Sequence, residues 1–269
     1  MLIWDVSPSL APLQQLLGPI AAATPARLGI SLIDLKSGHS LGYHSSESFP
    51  AASIIKLPIL LELYRRAQSQ QLDLVKKVQL RSESQVGGAG VLFELTPGLQ
   101  LNLEDLARLM MVVSDNTASN LLIEELGFEA VNSFMDSQAM GGTHLGRYFM
   151  ETPTPERDNR ACAVDFSRCL AALWRGEILN SDYTQRALAI LSRQQYREKI
   201  PLLLPESVTV YHKTGELDGV RHDCGIVAWD ENAFALTLLT ADGGAPWEVD
   251  RAMADLSRAC FDFLDSNRL

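Results

Sequence analysis

Three short segments of this sequence set polar groups at spacings suited to chemistry: Ser53-Ile-Ile-Lys56, Ser114-Asp115-Asn116 and Lys213-Thr214-Gly215. In the first, a three-residue offset along a helix places hydroxyl and amine on one face, with Cβ atoms about 5 to 6 Å apart. A free-base amine there can take the serine proton and leave a nucleophilic oxygen. Alone, the spacing also describes an ordinary helix start: at roughly one in fifteen for each residue, a chain this long holds about one Ser-x-x-Lys by chance. Pro58 removes the amide that would bond the carbonyl of Ile54, which predicts that the turn carrying Ser53 departs from a regular α-helix. The two tripeptides each arise by chance in only about one chain in twenty. All three segments together, in this order, point to one shared site.

These segments need a frame that brings them together. Residues 8–23 carry apolar side chains at helical spacing. Residues 28–34 alternate as a half-buried strand does, and Ser37-Gly38 turns the chain into 41–43. Near the other end, 208–211, 223–229 and 233–239 read as strands separated by Asp218-Gly219 and Asp230-Glu231-Asn232, and an amphipathic stretch follows over 249–264. Between them lie helical patterns over 59–70, 103–113, 117–126, 128–137, 162–174 and 182–192, with Asn102 placed to cap and Gly127 to terminate. The expected fold class is α+β (α/β in the broad sense): an antiparallel five-stranded sheet built from both chain ends, flanked by helices, with an all-helical subdomain inserted. Residues 1–269 then form one domain, with a sheet subdomain at 1–56 and 195–269 and a helical subdomain at 57–194. A cleft is expected at the seam.

Composition narrows the function classes. The chain has 269 residues, 46% of them hydrophobic and 21% charged, which excludes disorder and coiled coil. The net charge of -10 repels phosphate backbones and anionic lipid, so no nucleic acid partner is expected. The mean hydropathy is +0.02, and no apolar run approaches the roughly 20 residues of a membrane span. The first basic residue is Arg27, so no signal peptide is visible; the expected location is cytoplasmic, or periplasmic or secreted if a signal has been removed. Cys162, Cys169, Cys224 and Cys260 form no CxxC pair and read as buried thiols. His39, His44, His144, His212 and His222 lack metal-ligand spacing, so no metal is expected. Trp174, Trp229 and Trp247 read as packing residues.

With the three segments in place, the sequence resembles the serine β-lactamase and penicillin-binding protein superfamily, in particular its class A branch. The likeness runs from about Leu28 to the carboxyl end and includes Gly88-Ala-Gly-Val-Leu92, the stretch from Met110 to Asn120, and Arg221-His-Asp223. It implies a β-lactamase/transpeptidase-like fold, no cofactor, and a small-molecule partner: a β-lactam, or a peptide or ester substrate. Carried over residue by residue, Ser53 is the nucleophile that becomes acylated and Lys56 its base. Lys56 must then be partly neutral, which requires burial or a second cation such as Lys213. Ser114 relays a proton to the leaving nitrogen, Asn116 holds a substrate amide, and Asp115 points inward to fix the loop. The backbone amides of Ser53 and Glu216 form the oxyanion hole. Lys213, Thr214 and Arg221 face a substrate carboxylate, with Gly215 also binding the substrate; for Arg221 the alternative is a solvated charge at a strand end.

Two departures from the family pattern stand out. Glu216 occupies a position where small or hydroxyl residues are usual, and its charge would oppose an anionic substrate if it points inward. Aligning Leu145-Gly-Arg147-Tyr-Phe149 on the family's arginine puts Phe149 where a water-activating glutamate belongs. Glu151 is a possible substitute base, with Glu156 further along, but two prolines stiffen that stretch. The resemblance thus implies a serine hydrolase, most simply one acting on β-lactam amide bonds through a Ser53 acyl-enzyme with slow release. It also admits a penicillin-binding or sensor module acylated without turnover, or a carboxypeptidase or esterase. Oligomeric state is not encoded in these motifs.

Overall fold

Alternation at both ends of the chain resolves into one antiparallel sheet. In a computed structural model describing residues 4–267, strands β1 (Trp4–Val6), β2 (Arg27–Asp34) and β3 (Ser40–Tyr43) join β8 (Thr209–Leu217), β9 (Val220–Trp229) and β10 (Asn232–Ala241) in the order β1-β3-β2-β10-β9-β8. Residues 1–3 and 268–269, counted above within the domain, lie outside the described residues. The seam between the chain ends is the β2–β10 pairing, which runs in register from Phe234 opposite Asp34 to Ala241 opposite Arg27.

Both faces of this sheet are covered, which explains why β10 reads as a nearly continuous apolar run rather than a clean alternation. Phe234, Leu236 and Leu238 point into a core with Leu10, Leu13, Leu17, Met253 and Phe261, residues of or next to α1 (Ala11–Ala23) and α8 (Pro246–Asn267). Ala233, Ala235 and Leu239 point the other way, into a core shared with the central helices. The period of two thus sorts one strand between two cores. Helix α2 (Lys56–Gln68) is buried all round from Lys56 to Tyr64, Lys56 and Glu62 included, as a helix enclosed by others must be. It packs against α3 (Leu103–Val112), α4 (Asn116–Leu126), α5 (Phe128–Ser137) and α7 (Ser181–Leu191).

The structure amends the expected fold in particular places. The sheet has six strands, not five; β1 is three residues long, too short for a periodic pattern to reveal. The insert is not all-helical, because it holds the antiparallel pair β5 (Lys77–Gln79) with β6 (Gln100–Asn102) and the strand β7 (Arg160–Ala161), which pairs with β4 (Phe49–Pro50) ahead of the insert. Helix α6 (Ala163–Trp174), expected in the helical subdomain, packs on β2, β9 and β10. Strand β8 continues past residue 211 through the Lys-Thr-Gly segment to Leu217. Trp229 packs against Phe234 and Phe261, but Trp247 is 70% exposed rather than packed. All four cysteines are free and buried. Among the described residues, no helix is long and apolar enough to cross a membrane.

Candidate active site

Ser53 sits on a 3-10 turn, Ala52–Ile55, that runs directly into α2, in line with the irregularity that Pro58 predicts. Ala52 adopts φ +44, an uncommon conformation for a residue with a Cβ, and one that persists only when surroundings hold it. Two contacts hold this segment. Ala51 N–H donates to the Asn159 carbonyl at 2.8 Å, and the His222 ring reaches the Pro50 carbonyl at 2.7 Å through Nε2. Because Nδ1 of His222 accepts from Thr240 N–H at 3.1 Å, the ring proton belongs on Nε2. Burial lowers the His222 pKa to about 4 and keeps the ring neutral. Strand β8 passes close by: a Cβ on Gly215 would come within 3.0 Å of the Ser53 amide nitrogen and 3.1 Å of that of Ile54. Glycine is what the approach allows.

The Ser-Asp-Asn segment links α3 to α4 and is organised by Asp115. This fully buried carboxylate accepts from the amides of Val91 at 2.6 Å, Leu92 at 2.8 Å and Ala118 at 2.8 Å. The last bond caps α4; the first two draw in the loop that carries Gly88 and Ala89. Gly90, at φ +94, lies directly against Asp115 and leaves no room for a side chain. With the turn so anchored, Ser114 is held at φ +56.

Around Ser114 the two lysines meet. Lys56 Nζ donates to the Ser114 carbonyl at 2.7 Å, to Ser114 Oγ at 3.1 Å and to Asn116 Oδ1 at 2.8 Å. Lys213 Nζ, arriving from β8, reaches the same Ser114 Oγ at 3.0 Å and the Thr214 carbonyl at 2.7 Å. Neither lysine has any exposed surface. Desolvation, then the neighbouring Lys213 charge, pushes the Lys56 pKa well down, against the opposing pull of Asp115. Burial takes Lys213 down to about 7. The Ser53 hydroxyl itself makes no hydrogen bond among the described residues, so the direct Ser53–Lys56 contact expected from the spacing is not formed here. Asn116 is engaged at both ends of its amide, its Nδ2 donating to the Gly87 carbonyl at 2.9 Å.

The remaining predicted residues fall into two groups. Thr214 and Gly215 line up on β8, and Glu216 follows them. Arg221 lies opposite Glu216 on β9, but its guanidinium is taken by this chain's own carboxylates. It forms a two-bond pair with Asp250 of α8 and approaches Glu216 at 3.2 Å. Phe149 is nearly buried; its backbone is clamped by Asn120, which accepts from Phe149 N–H at 2.8 Å and donates to its carbonyl at 3.1 Å. Its ring stands 4.3 Å from Lys56 Nζ, a cation–π distance. Glu151 turns toward its own loop, accepting from Tyr148 N–H at 3.2 Å and lying 3.6 Å from Arg157. It makes no hydrogen bond to Ser53 or Lys56. Glu156 is exposed.

These elements enclose a cleft of about 680 Å³ whose walls include Ser53, Ala89, Asn116, Phe149, Met150 and Glu216. That volume suits a small organic molecule. Among the described residues no cluster of three metal-ligating side chains is present.

A hydroxyl-bearing turn, two buried amines and a close sheet strand, set in this fold, define a known class of protein. Residues 12–264 match the Beta-lactamase enzyme family, and the chain belongs to that family. It is 28% identical to a β-lactamase of Streptomyces albus G over 248 residues, 87% of this chain and 79% of that one. The crystal structure of a β-lactamase from Sphaerobacter thermophilus superposes with a TM-score of 0.88 at 28% identity, covering 97% of this chain and 98% of that one. A variant of PBP-A, solved as an acyl-enzyme complex with penicillin G, superposes with a TM-score of 0.88 at 25% identity over 96% of this chain and 97% of that one.

Several residues that shape the site carry no signal in the sequence. Lys199 and Asp250 enter through contacts with Glu216 and Arg221; His222, within the Arg221-His-Asp223 stretch, acts through the Pro50 carbonyl, far away in the chain. Replacing Asp115 with Ala strands the buried amides of Leu92 and Ala118 and the part-buried one of Val91 and is expected to cost about 3 kcal/mol, measured by denaturant unfolding. A second expectation concerns Lys213. With a folded pKa of about 7 and an unfolded one of about 10.4, the unfolded chain binds the extra proton between those values, so stability rises with pH across that window. Lys213→Met should flatten the slope of unfolding free energy between pH 7 and 10 by up to about 1.4 kcal/mol per pH unit; an unchanged slope would show that the amine is not buried in this way.

Proposed function

We propose that this chain is a serine hydrolase that opens β-lactam amide bonds through an acyl-enzyme on Ser53 and releases the product slowly. The observation that carries this reading is the single Ser114 hydroxyl shared by two buried amines, Lys56 and Lys213. Burial and the neighbouring Lys213 charge lower the Lys56 pKa, which favours the free-base form that a general base needs.

In the proposed acylation, the unengaged Ser53 hydroxyl turns toward Lys56, having no hydrogen bond of its own to break. Its oxygen attacks the lactam carbonyl carbon while its proton passes to Lys56 Nζ. The resulting oxyanion is received by the amides of Ser53 and Glu216. The carbon–nitrogen bond then breaks, and a proton returns from Lys56 through Ser114 Oγ to the leaving nitrogen. Lys213, bonded to the same Oγ, helps hold that hydroxyl in line. Asn116, Thr214 and Gly215 border the substrate. The acyl-enzyme of the related PBP-A variant supports this reading.

Release of the acyl group needs a water and a base to activate it. Phe149 offers neither a base nor a polar wall, and Asn120 fixes its position. The Glu151 carboxylate is occupied within its own loop. Phe149 therefore also favours a second reading, a penicillin-binding module that is acylated once and scarcely turns over. The two differ only in the rate of release.

Mass spectrometry after mixing with benzylpenicillin should show a stoichiometric adduct on Ser53 that persists for many minutes, and none with Ser53→Ala. Prompt return to the free mass would refute slow release. Phe149→Glu, which restores a carboxylate beside Lys56, is expected to speed the loss of the adduct by about 10²-fold, the lower end of what a positioned base contributes.

A further inference from the structure

We infer that this cleft is built for acyl donors that carry no carboxylate beside the scissile bond, because Glu216 fills that place with a charge of the protein's own. The inference rests on the acyl-enzyme reading above and concerns the substrate class of the same site.

The argument begins with where the cations are. Lys199, in the segment before β8, has no exposed surface, yet its Nζ reaches Glu216 Oε1 at 2.6 Å, Glu198 at 3.3 Å and Asp250 at 3.8 Å. Arg221 is held by Asp250 and by Glu216 Oε2 at 3.2 Å. One carboxylate thus spans two cations, with one oxygen on each. This is the geometry in which an ammonium and a guanidinium would receive a bound acid, except that the acid is residue 216, joined to the strand that passes Ser53. Burial alone would raise the Glu216 pKa, but the Lys199 and Arg221 charges outweigh it and hold the group below the usual carboxylate range. It stays ionised at neutral pH.

The rest of the cleft adds no compensating positive charge. Its walls carry Glu151, Asp158, Glu216 and Asp218 against Arg147 alone, and Arg147 is spent on Asp158 at 2.9 Å. Asp218, at the β8–β9 turn, makes no hydrogen bond or ion pair among the described residues. The amines of Lys56 and Lys213 are turned toward Ser114 and buried. An incoming carboxylate therefore meets a like charge at Glu216, with Lys199, Arg221 and Arg147 already paired to carboxylates of the chain itself. A neutral or cationic donor meets no such opposition.

The test compares benzylpenicillin with its methyl ester, which differ in that one charge, by following the rate of adduct formation on Ser53 at equal concentrations. The ester is expected to acylate the protein faster by about tenfold at low ionic strength, and the ratio of the two rates should fall toward one in Glu216→Gln. Two readouts guard against a variant that merely loosens the fold. In the unaltered protein the ratio should shrink as salt is raised from 10 mM to 500 mM, since screening weakens repulsion, and Asp218→Asn should lower it in part. Equal rates, or a faster free acid, in the unaltered protein would overturn the inference while leaving the Ser53 chemistry intact. Failure of both reagents to label Ser53 would overturn the acyl-enzyme reading, and this inference with it.

Discussion

The arrangement of the site depends on burying two lysine amines around one hydroxyl. An ammonium deep in a protein is costly unless paired or neutral, and here no carboxylate touches either Nζ. Lys56 has only the Ser114 carbonyl and hydroxyl, the Asn116 amide oxygen and an aromatic face. Neutral acceptors satisfy an amine's donors without stabilising its charge as a carboxylate would. The environment therefore lowers the pKa of both amines, and the enclosed α2, the Phe149 ring and β8 closing over the turn keep both buried.

Strain has a place in this arrangement. Ala52, Ser114 and Met150 all take positive φ; Ala52 and Met150 line the cleft, and Ser114 lies two residues before Asn116, which does too. Each is held by contacts from elsewhere: His222 and Asn159 around Ala52, Asp115 beside Ser114, and Asn120 beside Met150 through Phe149. Such conformations cost on the order of 1 to 3 kcal/mol each, and the buried polar anchors offset them. Fixing the polypeptide this way leaves the Ser53 hydroxyl as one of the few groups in the site still without a partner.

Much of the fold was legible because apolar periodicity records burial directly. The helices over 103–112, 116–126 and 128–137 fall within a residue or so of their expected limits. The same logic fails where polar residues are buried for reasons other than packing. The pattern places a strand over 208–211 with Lys213-Thr214-Gly215 at its end, whereas ladder pairing with β9 carries β8 on to Leu217. The six-stranded sheet needed Trp4–Val6, too brief to show a period. In the site, the three motifs were visible as residue types, and the structure brings Lys56, Ser114 and Lys213 into contact. The pairing of Arg221 with Asp250 and Glu216, and the presence of Lys199, were not visible, because an ion pair between distant segments leaves no local pattern.

The β2–β10 seam has a consequence for how the molecule comes into being. Arg27 lies opposite Ala241, so the first hairpin made during synthesis must wait for about 200 further residues before its neighbouring strand exists. Contacts of such sequence separation slow folding, and β8 and β9 reach the first hairpin only through β10. The helical layer can gather early from local contacts, whereas the strand bearing Lys213 docks among the last elements. A partly made or nicked chain would thus hold Ser53 and Lys56 without the wall that completes their surroundings, and reactivity would arrive only with the finished sheet.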